Sequence, residues 1–269
     1  FKQKTAYEIM PSLVGSEMCI RDRVWRKVTS RKANILFIVD TSKSMLCEDV
    51  KPSRIELLKT KLRFLIDNID ANFGIVFFAG TAFLNCPITF DKESVRIFLD
   101  ETIIDFIGLP GSNIEEALKV GIEAIKGISG KKYFILMSDG EELQGNYKNV
   151  IGELRKNNVT VISIGFGTEE GGPIPVYSGS RLKDYKKDKN DEIVITKLNV
   201  SLLSDISNKT GGFFIRAEES FDDVSKIVEF FEKEKEGKLK EKRVAMLEAR
   251  FQYPLFIALI LIFIGELLW

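Results

Sequence analysis

Four apolar runs constrain this 269-residue chain more than any other feature: ILFIV (Ile35 to Val39), FGIVFFA (Phe73 to Ala79), YFILM (Tyr133 to Met137) and VTVISIGFG (Val159 to Gly167). They are near-continuous rather than alternating, which is how strands buried on both faces read. Between them lie amphipathic stretches: Arg54 to Ile69, Lys92 to Glu101, Asn113 to Ile125 and Tyr147 to Lys156. Strand and helix in turn imply an α/β fold, a Rossmann-like, doubly wound, mostly parallel sheet with helices on both sides. Pro52 and Ser53 suit the start of the first helix, with Ser53 able to cap it. Leu57, Leu58, Lys61, Leu62, Leu65 and Ile69 form its expected inner stripe.

After Gly167 the rhythm changes. Two short apolar segments flank a charged stretch, Lys183 to Glu192, and predict a surface β-hairpin inserted over about residues 171–197. A short helix (Leu202 to Asn208) and a last strand in GGFFIRA complete a domain expected over residues 24–220. Residues 221–250 carry mixed charges and read as an exposed helix or linker. Residues 251–269 end in YPLFIALILIFIGELLW, where Glu266 is the one charge. At about 1.5 Å per residue that tract covers roughly 25 Å, slightly short of a bilayer core of about 30 Å. It predicts a C-terminal transmembrane helix, truncated at Trp269. At the other end, SLVGSEMCIRDR (Ser12 to Arg23) fits one reading frame of a transposase adapter used in preparing sequencing libraries. Residues 1–23 are therefore set aside as a scar rather than native chain.

Composition removes whole classes of function. Lys plus Arg equals Asp plus Glu at 39 each, so no overall field attracts nucleic acid. The chain has no histidine, which excludes Ser-His-Asp hydrolysis, Cys-His proteolysis and His-ligated zinc or haem. Three cysteines, Cys19, Cys47 and Cys86, show no CxxC spacing, and Cys47 and Cys86 are expected as two unlinked buried thiols.

Ligands of open α/β sheets bind beyond the carboxyl ends of the strands. Three polar clusters fall there. Asp40, Ser42 and Ser44 follow the first apolar run; Ser112 stands in PGSN before a helix; Asp139 ends the third run in MSDG. Two carboxylates and three hydroxyls form an all-oxygen set suited to a hard ion, Mg2+ or Mn2+ with retained waters rather than a Ca2+ cage. Alternate spacing lets one tight loop turn Asp40, Ser42 and Ser44 toward one point, while Lys43 faces solvent. Taken singly, each cluster also suits a helix cap or a turn.

DTSKS resembles the metal-ion-dependent adhesion motif, Asp-x-Ser-x-Ser, of the von Willebrand factor type A domain. The resemblance implies that Asp40, Ser42 and Ser44 form the first metal loop, Ser112 the hydroxyl of the second and Asp139 the carboxylate of the third. The family usually has Thr at the second-loop position; Ser112 keeps the oxygen without the methyl that restricts the rotamer. SMLCEDVKPSRIELLK, VFFAGTAFLNCPIT, MSDGEE, GGPIPV, LSDISNKTGGFF and RFQYPLFIALIL are similar to the membrane-anchored aerotolerance (Bat) branch, particularly its B-type members. The favoured function is a Mg2+-dependent binding module rather than an enzyme, because the sequence shows no histidine, no positioned Lys or Cys and no general base beyond the ligands themselves. Its partner would be a protein donating an Asp or Glu to the metal, in company with other Bat proteins and a MoxR-type AAA+ ATPase.

Two alternatives stay open at this stage. One is a Mg2+-dependent phosphohydrolase of the haloacid-dehalogenase type, which needs a second carboxylate where Ser42 stands. The other is a metal-independent membrane scaffold. For sidedness, Lys242, Arg243 and Arg250 before the membrane tract favour a cytoplasmic domain. The Bat resemblance instead implies the outer side of a bacterial plasma membrane, and that is the expectation adopted.

Overall fold

The structure is a computed structural model that describes residues 21–27, 32–106, 111–142, 144–178, 181–239 and 243–249. It divides into two units. One, built from residues 31–233, holds the whole core; the other comprises residues 1–30 and 234–269.

The larger unit is a six-stranded sheet with helices on both faces. Its strands are β2 (Ala33–Asp40), β3 (Ala71–Phe78), β4 (Ala82–Thr89), β5 (Lys132–Ser138), β6 (Val159–Gly165) and β11 (Phe214–Arg216), in the order β11-β6-β5-β2-β3-β4. All neighbours run parallel except β4, which pairs antiparallel with β3. The four apolar runs are the four central strands, β3, β2, β5 and β6. Their side chains divide by parity between two cores, as a pleated strand requires. Ile35, Phe37 and Val39 point to one face with Tyr133, Ile135 and Met137; Leu36 and Ile38 point to the other with Phe134 and Leu136.

The first core is covered by α1 (Arg54–Asn68), α2 (Lys92–Phe106) and α6 (Asp222–Leu239), the second by α3 (Ile114–Ala124), α4 (Lys148–Lys156) and α5 (Val200–Lys209). Ser53 caps α1, its hydroxyl accepting from Glu56 N–H at 3.3 Å. Asn113 caps α3 by accepting from the Glu116 N–H at 3.0 Å. Helix α3 lies so close to the sheet that a Cβ at Gly121 would stand 2.9 Å from the Phe134 ring. Each fully buried Leu, Ile or Phe contributes about 1.5–3 kcal/mol. A core of this size holds the strand ends in place without help from an ion.

Several elements differ from the sequence reading. Strand β4 was not anticipated: its burial is irregular and it carries Pro87, both of which suit an edge strand. Between residues 171 and 197 the chain reverses twice. Strands β8 (Pro175–Ser178) and β9 (Arg181–Tyr185) pair with each other, then Lys187 bridges Ile193 across a second turn. Short strands β7 (Gly172–Pro173) and β10 (Ile195–Thr196) close the base. Of the charged stretch from Lys183 to Glu192, the first three residues therefore belong to β9 and the rest to the second turn. The stretch expected as an exposed helix or linker begins as helix α6, and Val224, Ile227 and Phe231, spaced as one helical stripe, are buried in the first core rather than exposed.

In the smaller unit, β1 (Arg21–Lys27) pairs antiparallel with β12 (Arg243–Ala249). Of the segment set aside as a scar, residues 1–20 lie outside the described residues and Arg21 to Arg23 open β1. The expected transmembrane helix over 251–269 also lies outside them. Among the described residues no helix is long and apolar enough to cross a membrane.

Candidate metal centre

The sheet order places a crossover at its middle. From β2 the chain proceeds outward to β3 and β4, then returns to the opposite side of β2 as β5. At that switch point the loops leaving β2 and β5 diverge to opposite faces and open a crevice at the strand ends. Asp40 ends β2 and Asp139 follows β5, so both carboxylates stand on the crevice and both are fully buried.

The first loop is pinned by its own polar atoms. Thr41 N–H and Thr41 Oγ1 both donate to the Phe78 carbonyl, at 2.8 and 3.1 Å. The Ser42 N–H donates to Asp40 Oδ1 at 2.9 Å, and a 3-10 turn over Lys43–Leu46 brings Ser44 Oγ to 2.9 Å from Ser42 Oγ. Ser42 and Ser44 are buried while Lys43 is exposed, the division expected from the sequence. Ser138, the last residue of β5, donates from Oγ to Asp40 Oδ2 at 2.6 Å and accepts the Gly140 N–H at 2.9 Å. Burial first, and then the charge of Asp139, push Asp40 up to about 7, although the hydrogen bonds from Ser138 and Ser42 act the other way. A buried carboxylate raised by the charge of a neighbouring one is the arrangement a cation relieves.

Asp139 is held from outside the motif. Its Oδ1 accepts the Glu141 N–H at 3.0 Å, and its Oδ2 accepts Arg54 Nη1 at 2.8 Å. Ser112 lies after β3 and β4 on the same edge, where the Asn113 N–H donates to the Ala79 carbonyl and the Gln144 N–H to the Ser112 carbonyl. Its Oγ is buried and has no hydrogen-bond partner. The structure therefore ties Asp40, Ser42, Ser44 and Ser138 into one network, with Asp139 acting on Asp40 by charge. Ser112 is left with a free hydroxyl.

That orphaned hydroxyl fits an ion site. A buried hydroxyl without a partner costs about 1–3 kcal/mol, so it persists where something outside the chain satisfies it. Among the described residues no group of three or more His, Cys, Asp or Glu side chains gathers to hold a metal. The five-oxygen set has two acidic members and so falls below that count. Cys47 and Cys86 are buried free thiols and take no part in it.

A model of the von Willebrand factor type A domain matches residues 34–227. The chain belongs to that family. An uncharacterized protein of Borreliella burgdorferi is 30% identical over 221 residues, 78% of this chain and 62% of that protein. The chain thus spans less than two thirds of the length of the curated relatives it matches. Among solved structures, BatB from Bacteroides thetaiotaomicron is similar at a TM-score of 0.68 and 28% identity, over 77% of this chain and 98% of that one. An aerotolerance-related membrane protein from Bacteroides fragilis is similar at 0.66 and 26%, over 76% and 98%.

Four residues around the motif of this type A domain were not singled out from the sequence: Ser138, Arg54, Asp49 and Thr196. Arg54 carried one signal, a basic residue at the first turn of a helix, where the helix dipole disfavours positive charge. It is fully buried. Nε and Nη2 donate to the two oxygens of Asp49 at 2.8 and 2.7 Å, while Nη1 reaches Thr196 Oγ1 at 3.2 Å besides Asp139.

Proposed function

We propose that the protein is a membrane-anchored binding module that captures a partner protein through a divalent cation, Mg2+ or Mn2+, held by Asp40, Ser42, Ser44, Ser112 and Asp139. The observation that carries this reading is the Ser112 hydroxyl, buried and unpaired on the same sheet edge as four further oxygen donors. When bound, the cation supplies an open coordination position for a carboxylate from outside. The chain's own part is to fix the donors: Ser138 and the Ser42 N–H orient Asp40, and the 3-10 turn aims Ser42 and Ser44 together. The chain has no histidine, and among the described residues no lysine or cysteine is in hydrogen-bond contact with these donors to act as a general base, which favours binding over catalysis.

Similarity to BatB and to the aerotolerance-related membrane protein supports a place among Bat proteins. We take its partners to be other Bat proteins and a MoxR-type AAA+ ATPase, with the domain on the outer side of a bacterial plasma membrane. Labelling of a Lys156→Cys thiol by an impermeant reagent in intact cells tests that side, since Lys156 is exposed.

Capture from detergent-solubilised membranes, with Mg2+ or with EDTA and with Asp40→Ala beside the wild type, tests the function. Partners recovered with Mg2+ and lost with EDTA or the variant are expected. The same partners under all conditions would favour the metal-independent scaffold.

A further inference from the structure

Among the described residues Arg54 is the largest fully buried side chain, and it belongs to neither hydrophobic core. Its guanidinium spans three segments: Asp49 just after the first metal loop, Asp139 at the end of β5, and Thr196 at the base of the insertion, whose carbonyl accepts Nη2 at 3.1 Å. Gly167, at φ +118°, closes the pocket; a Cβ there would lie 2.7 Å from Arg54 Cζ. Asp49 is tied in turn to the insertion side, its Oδ2 accepting the Thr168 N–H at 2.8 Å and the Thr168 hydroxyl at 3.1 Å. One fixed positive charge is thus shared between a carboxylate of the proposed cation site and a carboxylate outside it.

Resting on the function proposed above, we infer that Arg54 is a positioning and specificity-determining residue. By bonding Asp139 it withdraws part of the negative charge the site offers a cation, so that a bound dication is left short of charge and recruits a carboxylate from a partner. With Asp40 and Asp139 both free, two carboxylates would neutralise a dication and the outside ligand would add little. The hydrogen bond that Arg54 gives Asp139 draws negative charge away from the cation, Asp49 offsets part of that effect by holding the same guanidinium through two bonds, and the deficit left at the cation is what an acidic side chain completes. Asp49 sets how strongly this operates, because it competes with Asp139 for the same guanidinium.

The two carboxylate partners of Arg54 make opposite predictions, which separates an electrostatic role from simple damage to the fold. The experiment titrates Mn2+ into the full chain by electron paramagnetic resonance, with and without acetate as the carboxylate probe. In the wild type, acetate should tighten Mn2+ binding. Arg54→Gln should tighten Mn2+ alone by about tenfold or more and abolish the acetate effect, given the strength of charge interactions at a buried site. Asp49→Asn, which leaves Arg54 to Asp139, should weaken Mn2+ alone and enlarge the acetate effect. If Arg54→Gln does not fold, the Asp49→Asn titration decides by itself. Weakening by both variants with an unchanged acetate effect, or no change in either, overturns the inference while leaving the cation site standing. Absence of Mn2+ binding by the wild type overturns the site and the inference together.

Discussion

Ser138 Oγ donates to Asp40 Oδ2 at 2.6 Å, between the last residue of one central strand and the last residue of its neighbour. Ser138 also accepts the Gly140 N–H, so a single hydroxyl sets both the Asp40 carboxylate and the turn that carries Asp139. Residues that orient a metal ligand from behind typically cost 10–100-fold in affinity when removed. Ser138→Ala should therefore weaken Mn2+ binding about 10–100-fold, and it should lower stability by about 1–3 kcal/mol through the unpaired Gly140 N–H. Mn2+ titration alongside urea denaturation measures both.

Ser112 predicts effects of opposite sign. Its hydroxyl is buried without a hydrogen-bond partner from the chain. Ser112→Ala should leave melting in EDTA unchanged or raise it, since an unsatisfied polar group is removed. The same variant should weaken Mn2+ binding at least about tenfold if that oxygen ligates, on the scale of a lost charge-assisted contact. Differential scanning calorimetry with and without Mn2+ reads the two together; a loss of stability in EDTA would show that the hydroxyl serves the fold.

Asp49 gives a pH dependence. Burial pushes its carboxyl up, but the hydrogen bonds and charge of Arg54, with Thr168, bring it below the ordinary aspartate value of 3.8. A depressed folded-state value means that the pair stabilises the protein above that ordinary value, and that the contribution is lost as pH falls through the lower folded one. Asp49→Asn should therefore melt earlier than wild type at pH 7. The difference should shrink as the pH is taken below about 4. A gap that stayed constant over that range would mean the charge of Asp49 contributes nothing.

Lys61 on α1 is fully buried and donates to Asp223 Oδ1 at 2.6 Å and to the Ser220 carbonyl at the start of α6. Removing one partner of a buried pair strands the other. Asp223→Asn and Lys61→Met should each cost about 3–5 kcal/mol. Lys61→Met combined with Asp223→Leu should cost much less than the sum, as urea midpoints of the three variants will show.

The sequence revealed what rests on short-range pattern. Strands such as Ile35 to Val39 and Tyr133 to Met137 announce two-sided burial by themselves, and the five oxygen donors are found by standing just beyond strands or before a helix. Even Lys61 was legible, because it falls on the apolar stripe of α1. Arg54 was not: its partners Asp139 and Thr196 lie 85 and 142 residues away, and a charged residue at a helix start reads as solvated until those partners are in place. The same holds for β4, whose mixed burial at a sheet edge erases the alternation that marks a strand. It holds also for the insertion, where charge alone could not tell strand β9 from the turn after it.

In the proposed function Asp40, Ser42, Ser44, Ser112 and Asp139 hold one hard cation. Counting Mn2+ ions bound per chain at neutral pH, with Mg2+ as competitor and Asp40→Ala as control, decides whether they do. One ion per chain is expected, displaced by Mg2+ and lost in a variant whose circular dichroism is unchanged. No bound ion in the wild type, or equal binding by a folded Asp40→Ala chain, would contradict it.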